Sequence, residues 1–101
     1  MISEIQVLPS PAGTADDRYA HVHAAIEVIQ ASGLHHEVGP LGTTVEGSPD
    51  EVWALLRRVH EACLAAGAAS AVTVIKVAER AGADDATLTM DGLTGNYRAP
   101  S

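Results

Sequence analysis

Apolar residues alternate with polar ones or form short runs along four stretches of the chain, and they follow a helical period along two others. Alternation is typical of strands, whereas apolar residues three and four positions apart indicate an amphipathic helix. The predicted elements are, in order, a strand over 1–8, a helix from Thr14 or Asp16 to Ser32, strands over 35–41 and 43–47, a helix from Ser48 to Gly67, and a strand over 69–79.

The start of the second helix carries a strong local signal. Ser48 precedes Pro49, and Glu51 follows Ser48 by three residues. A serine that caps the helix, a proline at the first helical position and a returning glutamate form a capping box. The sequence therefore predicts a sharply defined helix start directly after the strand over 43–47.

The order of strand, helix, strand, strand, helix and strand predicts an α+β fold. Such a split βαβ pattern is typical of the ferredoxin-like βαββαβ sandwich, a four-stranded antiparallel sheet with both helices on one face. We expect this domain to span residues 1–80. Residues 81–101 are rich in Gly, Asp and Thr, which predicts a tail that is loosely structured or packs on the sheet or on a partner subunit.

The last strand is apolar on both of its faces. In a two-layer sandwich one sheet face lacks helices and is usually polar, yet here it would expose Val72 and Val74. An exposed apolar patch of this kind is typical of an interface. We therefore expect self-association into a dimer or tetramer; the alternative is that the tail folds over this face.

Composition narrows the class of protein further. The net charge of −7 argues against nucleic acid as a partner, because phosphate binding needs clustered Lys and Arg. Cys63, the single cysteine, cannot form an internal disulfide. No apolar run approaches the roughly 20 residues that span a bilayer, and the N-terminus does not resemble a signal peptide. We expect a cytoplasmic protein without a membrane partner.

The sequence offers little for catalysis or metal binding. The five histidines lack the i, i+4 spacing or cysteine companions of a zinc site, and Cys63 lies mid-helix among apolar residues, where a thiol stays protonated. Phosphate-binding and nucleophile motifs are absent from the printed sequence. We therefore predict neither a metal nor a cofactor, and a protein that is not an enzyme.

Polar residues concentrate on the third predicted strand. Between Gly42 and Gly47 lie Thr43, Thr44 and Glu46, and alternation places Thr44 and Glu46 on one face and Thr43 on the other. Burying an unpaired carboxylate is costly. Glu46 should therefore pair with Lys76 or Arg80 on the fourth strand, or meet a ligand.

Two further residues bear on a binding site. Glu4 lies on the first strand, which neighbours the third in this topology, so two carboxylates could surround one area of sheet. His60 borders the apolar stripe of the second helix, either as a partly buried core histidine or as part of a pocket. Trp53, at the start of that helix, is predicted to be a packing residue or an interface anchor.

Several of these segments together resemble a known family. They are Ser32-Gly33-Leu34, Pro40-Leu41-Gly42-Thr43, Val45-Glu46-Gly47, Asp50-Glu51-Val52, His60-Glu61-Ala62, Ala66-Gly67-Ala68 and Ile75-Lys76-Val77. In one register over roughly residues 1–80, they are similar to the small thiamine-binding proteins designated UPF0045, which are related to YkoF-type domains. G-T-x-V-E-G followed by a helix bearing H-E-A is the most diagnostic part.

The resemblance implies a ferredoxin-like fold, dimers or dimers of dimers, and binding of thiamine or its hydroxymethylpyrimidine moiety without turnover. Matched by position, it implies a ligand site that includes Thr43, Glu46 and His60, to which strand geometry adds Thr44 and Glu4. Two rival functions stay open. One is a dimeric α+β barrel enzyme with His60 and Glu46 as acid and base, and the other is a structural or regulatory assembly module.

Overall fold

The computed structural model describes residues 1–97 and has the predicted order of elements. The strands are β1 (Ile2–Ser10), β2 (His35–Val38), β3 (Thr43–Glu46) and β4 (Ser70–Ala78), and the helices are α1 (Ala20–Ala31), α2 (Pro49–Ala65) and α3 (Met90–Thr94). Two 3₁₀ turns, Gly82–Thr87 and Gly95–Tyr97, flank α3. The last four residues of the predicted tail, 98–101, lie outside the described residues.

The four strands form one antiparallel sheet in the order β2-β3-β1-β4. This order is typical of two interleaved β-α-β halves, because each helix carries the chain past one intervening strand. Helix α1 joins β1 to β2 with β3 between them, and α2 joins β3 to β4 with β1 between them. The predicted ferredoxin-like α+β fold is therefore confirmed.

The core lies between the sheet and the helices α1 and α2. The helices contribute residues at helical spacing, and β1 and β3 contribute alternate residues. Its buried members are Met1, Ile5, Ala25, Ile29, Val45, Val52, Leu55, Leu56, Val59, Cys63 and Ala68. The sheet face that carries Ile5 and Val45 thus meets the helices, and we call the opposite face the bare face.

The start of α2 is the capping box that the sequence predicts. The Glu51 amide donates to Ser48 Oγ at 3.3 Å, and the Ser48 amide donates to Glu51 Oε1 at 3.1 Å. Pro49 occupies the first turn, where a missing N–H has no consequence. The chain therefore leaves β3 and enters α2 after only two intervening residues.

The start of α1 differs from the prediction. The helix begins at Ala20, after Tyr19, whose side chain makes no capping hydrogen bond. Thr14 instead closes a separate turn, in which its hydroxyl accepts from the Asp17 amide at 3.1 Å. Local hydrogen bonding by Thr side chains competes with helix formation, so Thr14 and Asp16 are not helix caps.

Two strands also end at other residues than predicted. β2 stops at Val38, and the Gly39 amide donates to the Gly42 carbonyl at 2.9 Å across the turn. β1 continues through Pro9 to Ser10, paired over residues 6–10 with β4 alone. Proline is tolerated where one side of a strand lacks a pairing neighbour.

The tail covers one end of the bare face. Leu88 and Met90 bury Ile2 of β1 in a small apolar cluster. The other end stays open: Val72 is 64% exposed and Val74 is 47% exposed. The predicted covering by the tail therefore applies to only one part of the bare face. The tail buries Ile2, whereas the valines of β4 stay exposed to solvent.

An ion pair fixes the tail to the first residue. The Met1 amino group donates to Asp85 Oδ2 at 2.6 Å and to the Gly47 carbonyl at 3.0 Å. Asp85 also accepts from the Arg80 amide at 3.1 Å. These bonds position the 3₁₀ turn beside the junction of β3 and α2.

Candidate ligand-binding site

Two cross-strand rows of side chains span the bare face. Residues paired across a sheet share a face, so the register can be followed from strand to strand. The first row is Lys76, Glu4, Thr44 and Glu37. The second row is Ala78, Ile2, Glu46 and His35. The first row places a hydroxyl between two carboxylates.

A cleft opens along the first row, and we call it the bare-face cleft. It consists of a pocket of about 380 Å³ beside the β2–β3 turn and a smaller one of about 120 Å³ beside α3, which share Glu37 and Thr44. Glu4 and residues 39–42 complete the larger pocket. Ile2, Met90, Leu93 and Thr94 line the smaller one. The cleft is therefore acidic at one end and mostly apolar at the other.

The turn residue Gly42 keeps the acidic end compact. A Cβ atom at this position would lie 3.2 Å from the Ile5 carbonyl oxygen and 3.3 Å from Glu4 Cγ. Such contacts are tighter than ordinary van der Waals packing. The absence of a side chain at Gly42 thus lets the turn approach the Glu4 side chain.

Of the two alternatives that the sequence leaves open for Glu46, the structure does not show the pairing with Lys76 or Arg80. Glu46 Oε1 accepts a hydrogen bond from the Met90 amide at 2.6 Å. The register explains the difference, because Lys76 lies opposite Glu4, one row away from Glu46. Glu46 thus holds α3 in place as the wall of the cleft and borders the neighbouring pocket that Asp85 and Leu88 also line.

Lys76 pairs weakly with Glu4 instead. Its Nζ lies 3.7 Å from Glu4 Oε1, and both side chains are largely exposed. Exposed ion pairs contribute little to stability because solvent screens them. The Glu4 carboxylate can therefore exchange this partner for a ligand at small cost.

Thr43 lies on the opposite face of the sheet from Thr44. Its side chain is buried and borders a pocket of about 230 Å³ between α1, the β2–β3 turn and the end of β1. Gln6 and Ile26 line the same pocket. Thr43 thus shares the turn with the bare-face cleft but does not open into it.

His60 is also on the helix side of the sheet. Its Nδ1 lies 2.5 Å from Thr73 Oγ1, and the half-buried ring lines a groove between α2 and β4. Glu46 lies on the bare face, so the sheet separates the two residues. The single chain does not bring His60 and Glu46 together as an acid–base pair.

The structure thus brings together three of the five predicted site residues. Glu4 and Thr44 line the cleft, and Glu46 supports its wall. Sequence reasoning missed Glu37, which an assumed hairpin register would have placed opposite Thr44. It also missed Met90 and Leu93, for which no local pattern predicts contact with the sheet.

The remaining chemistry of the described chain is modest. Burial raises the pKa of the Cys63 thiol, so it stays protonated. Among residues 1–97, no group of three or more His, Cys, Asp or Glu residues could hold a metal ion. Within the same residues, the helices are too short or too polar to cross a membrane.

Fold and cleft together define a ferredoxin-like α+β domain with a small-molecule-sized pocket on the bare face of its sheet. The sequence model of the thiamine-binding protein family matches residues 3–96. A UPF0045 protein of Clostridium perfringens is 35% identical over 95 residues, which cover 93% of each chain. The chain therefore belongs to the thiamine-binding protein family that includes the UPF0045 proteins, as the sequence resemblance indicated.

Further relatives share the sequence and the fold. A UPF0045 protein of Methanothermobacter thermautotrophicus is 31% identical over 84 residues, 81% of this chain and 83% of the relative. A domain of unknown function, DUF77, from Bacillus cereus superposes with a TM-score of 0.82 at 36% identity, covering 96% of this chain and 88% of that one.

A third solved structure carries a functional description. It is a Thermotoga maritima protein described as a candidate thiamine biosynthesis or salvage protein, with a TM-score of 0.78 and 27% identity. The match covers 96% of this chain and 97% of that one. The similarity thus extends over nearly the full length of both chains.

Proposed function

We propose that this chain binds thiamine or a hydroxymethylpyrimidine-type molecule in the bare-face cleft and does not turn it over. The observation that carries the proposal is the row in which Glu4 and Glu37 flank Thr44 at the cleft. Membership of the thiamine-binding family supports the ligand class.

The chemistry of the row suits such a ligand. An aminopyrimidine donates hydrogen bonds from its amino group, and carboxylates such as Glu4 and Glu37 accept them strongly. A thiazolium ring carries a positive charge that the same acidic end would attract. Thr44 adds a short hydroxyl contact, and the apolar side chains of Met90 and Leu93 offer a wall for a flat ring. Small-ligand sites combine such apolar walls with few polar groups.

We also propose that the protein self-associates and acts in the cytoplasm. The exposed Val72 and Val74 continue the bare face beyond the tail, and a second copy of the chain is the simplest partner for such an apolar patch. Because the cleft opens on the same face, association would place it near the interface. This would narrow the access of solvent to a bound ligand.

Calorimetric titration with thiamine and with hydroxymethylpyrimidine tests the binding proposal. We expect saturable heat with the wild-type protein and about tenfold weaker binding after Glu4→Gln or Glu37→Gln, because each removes a charged acceptor of a ligand hydrogen bond. Thr44→Val, which keeps the shape but removes the hydroxyl, should weaken binding less.

Glu27→Gln on α1 is the matched control, since it makes the same change in charge at an exposed site outside the cleft. Absence of saturable heat with either ligand on folded protein would contradict binding. Equal losses in the control and in the cleft variants would contradict the location. Chromatographic detection of an altered ligand after incubation would contradict the absence of turnover.

A further inference from the structure

A second pocket lies on the helix side of the sheet, away from the bare-face cleft. This α2–β4 groove has a volume of about 390 Å³ and is lined by Trp53, Leu56, Arg57, His60, Thr73 and Ile75. It shares no lining residue with the bare-face cleft. Its volume falls within the range of small-ligand sites, roughly 300–1,000 Å³.

Helical and strand periodicity build the groove. Trp53, Arg57 and His60 follow one another at four- and three-residue spacing, so they line one side of α2 beside its buried stripe. Thr73 and Ile75 are two apart on β4 and therefore share the helix-side face of the sheet. β4 is an edge strand, so no neighbouring strand closes the far side of the groove.

The groove leaves apolar surface in water. Trp53 is 52% exposed and Ile75 is 40% exposed, although exposing such large side chains has an unfavourable free energy. Of the two predicted roles of Trp53, packing in the core of the chain is therefore excluded, and the role of interface anchor stays a prediction. A flat molecule could lie against its ring, since aromatic rings stack in offset arrangements.

The polar groups of the groove favour an anion. Among residues 1–97, no carboxylate lines it, although the whole chain has a net charge of −7. Arg57 uses its Nε to donate to Glu61 Oε1 at 2.8 Å. A guanidinium has five N–H donors, so the terminal nitrogens keep donors for a second acceptor.

His60 adds a second donor. Its Nδ1 contacts the Thr73 hydroxyl at 2.5 Å, and that hydroxyl can donate to Nδ1. The neutral ring then carries its proton on Nε2 and donates from there, and the protonated ring donates from both nitrogens. Either state offers a hydrogen bond to an anionic group.

From these observations we infer that the α2–β4 groove is a second ligand site, selective for a planar aromatic molecule that bears a carboxylate or phosphate. The ring would stack on Trp53 over Leu56 and Ile75, and the anion would meet Arg57 and His60. The two sites would thus select ligands of opposite charge on opposite faces of one sheet.

Two-dimensional ¹H–¹⁵N NMR tests this inference, because Trp53 is the single tryptophan and its indole N–H reports on the groove. The probes are 2-naphthoate, the neutral 2-naphthalenemethanol and the cationic 2-naphthylmethylammonium. We expect naphthoate to shift the Trp53 indole and the Thr73 and Ile75 amides saturably, and to bind about tenfold more tightly than the alcohol. The ammonium compound should bind most weakly.

Arg57→Gln and Arg58→Gln form a matched pair, since both remove one arginine from the exposed part of α2 but only Arg57 lines the groove. We expect Arg57→Gln to abolish the preference for naphthoate over the alcohol and Arg58→Gln to leave it unchanged. Trp53→Leu should weaken both ligands.

Three outcomes would overturn the inference. They are equal affinity for the three probes, equal effects of the two arginine substitutions, or Trp53 shifts that follow protein concentration without any probe. The last would show that a second copy occupies the groove. Failure of thiamine to bind at the bare-face cleft would leave this result unaffected, because the two sites share no residue.

Discussion

The Glu46 carboxylate accepts the amide of Met90, the first residue of α3. A carboxylate at the N-terminus of a helix satisfies an N–H that lacks a partner inside the helix and also meets the positive end of the helix dipole. One residue of the G-T-T-V-E-G segment therefore decides where the tail lies. The hydrogen bond that the Glu46 carboxylate accepts explains why a charge is tolerated on a half-buried strand.

Removal of this carboxylate should loosen α3. We expect Glu46→Ala to lower the free energy of unfolding by about 1.5–3 kcal/mol, the range for a hydrogen bond to a charged group. Urea unfolding measures the change, and hydrogen exchange at the Met90 amide locates it.

Glu46→Gln is the control for this experiment, since its amide oxygen remains an acceptor but without charge. It should fall between wild type and Glu46→Ala. Unchanged exchange at Met90 in Glu46→Ala would contradict the role given to this residue.

Asp85 is a second residue that secures the tail, and it makes stability depend on pH. The hydrogen bond from the Met1 amino group, opposed by burial and helped by the Arg80 amide, lowers the pKa of Asp85. Because the folded pKa lies below the unfolded value of about 3.9, this contribution to stability is complete above that value. It is lost as the pH falls through the lower, folded pKa.

Melting temperature measured between about pH 6 and pH 2.5 tests this linkage. We expect the wild type to lose melting temperature more steeply at the acidic end than Asp85→Asn, which cannot ionise, so the two curves should converge there. Other carboxylates contribute equally to both proteins and cancel in the difference. Parallel curves over the whole range would contradict the linkage.

At the scale of elements, α2 is the best-defined piece of the fold. Its capping box joins it to β3, and its buried stripe forms much of the core. The hydrogen bonds with Ser48 also lower the pKa of Glu51. The neighbouring side of the same helix lines the α2–β4 groove, so the position of the groove depends on how α2 starts.

Loss of the cap should destabilise the domain without changing its fold. We expect Ser48→Ala to cost about 1 kcal/mol, which lowers the melting temperature by about 4–8 °C for a domain of this size. Ser48→Gly should cost only a few tenths of a kcal/mol, because glycine is a good N-cap. Differential scanning calorimetry compares them, and equal losses in both variants would exclude capping as the cause.

At the scale of the whole molecule, the bare face is only partly covered. The tail buries Ile2, whereas Val72 and Val74 remain exposed on a strand that is also the sheet edge. Long apolar edge strands are prone to pair with other chains. Self-association would remove both the face and the edge from water.

Analytical ultracentrifugation of wild type and Val74→Glu tests the proposed self-association. We expect an oligomer for the wild type and a shift towards monomer for Val74→Glu, because a charge in the interface would lack a partner there. Arg58→Glu introduces the same residue on the exposed side of α2 and should leave the oligomer intact. A monomeric wild type at micromolar concentration would contradict the proposal.

Much of the fold could be predicted because its signals are local. The apolar stretch over 69–79 predicted β4 to within one residue at each end, and the capping box located the start of α2. The start of α1 was predicted wrongly, because Thr14 can cap a turn as well as a helix and only the surrounding packing decides between them.

Less of the candidate site could be predicted. Topology places Glu4 beside β3, so its nearness to Thr44 was accessible from the sequence. The partner of Glu46 was not, because it depends on register and on a tail whose residues show no periodicity. His60 and Thr43 were grouped with the cleft by resemblance, but the sheet separates them from it.

By itself, then, the sequence determined the order and type of the elements, the ferredoxin-like topology, the family, and the two polar residues of β3 on the bare face. The elements and their topology follow from periodicities and capping patterns that act within a few residues, whereas the family follows from the resemblance of the matched segments. Only the tertiary structure decided which side chains share a pocket, since that depends on strand register and on where the tail packs. In the G-T-T-V-E-G segment, the sequence placed Thr44 and Glu46 on the same face of the sheet. Only the tertiary structure decided that Thr44 lines the cleft and that Glu46 fixes its wall.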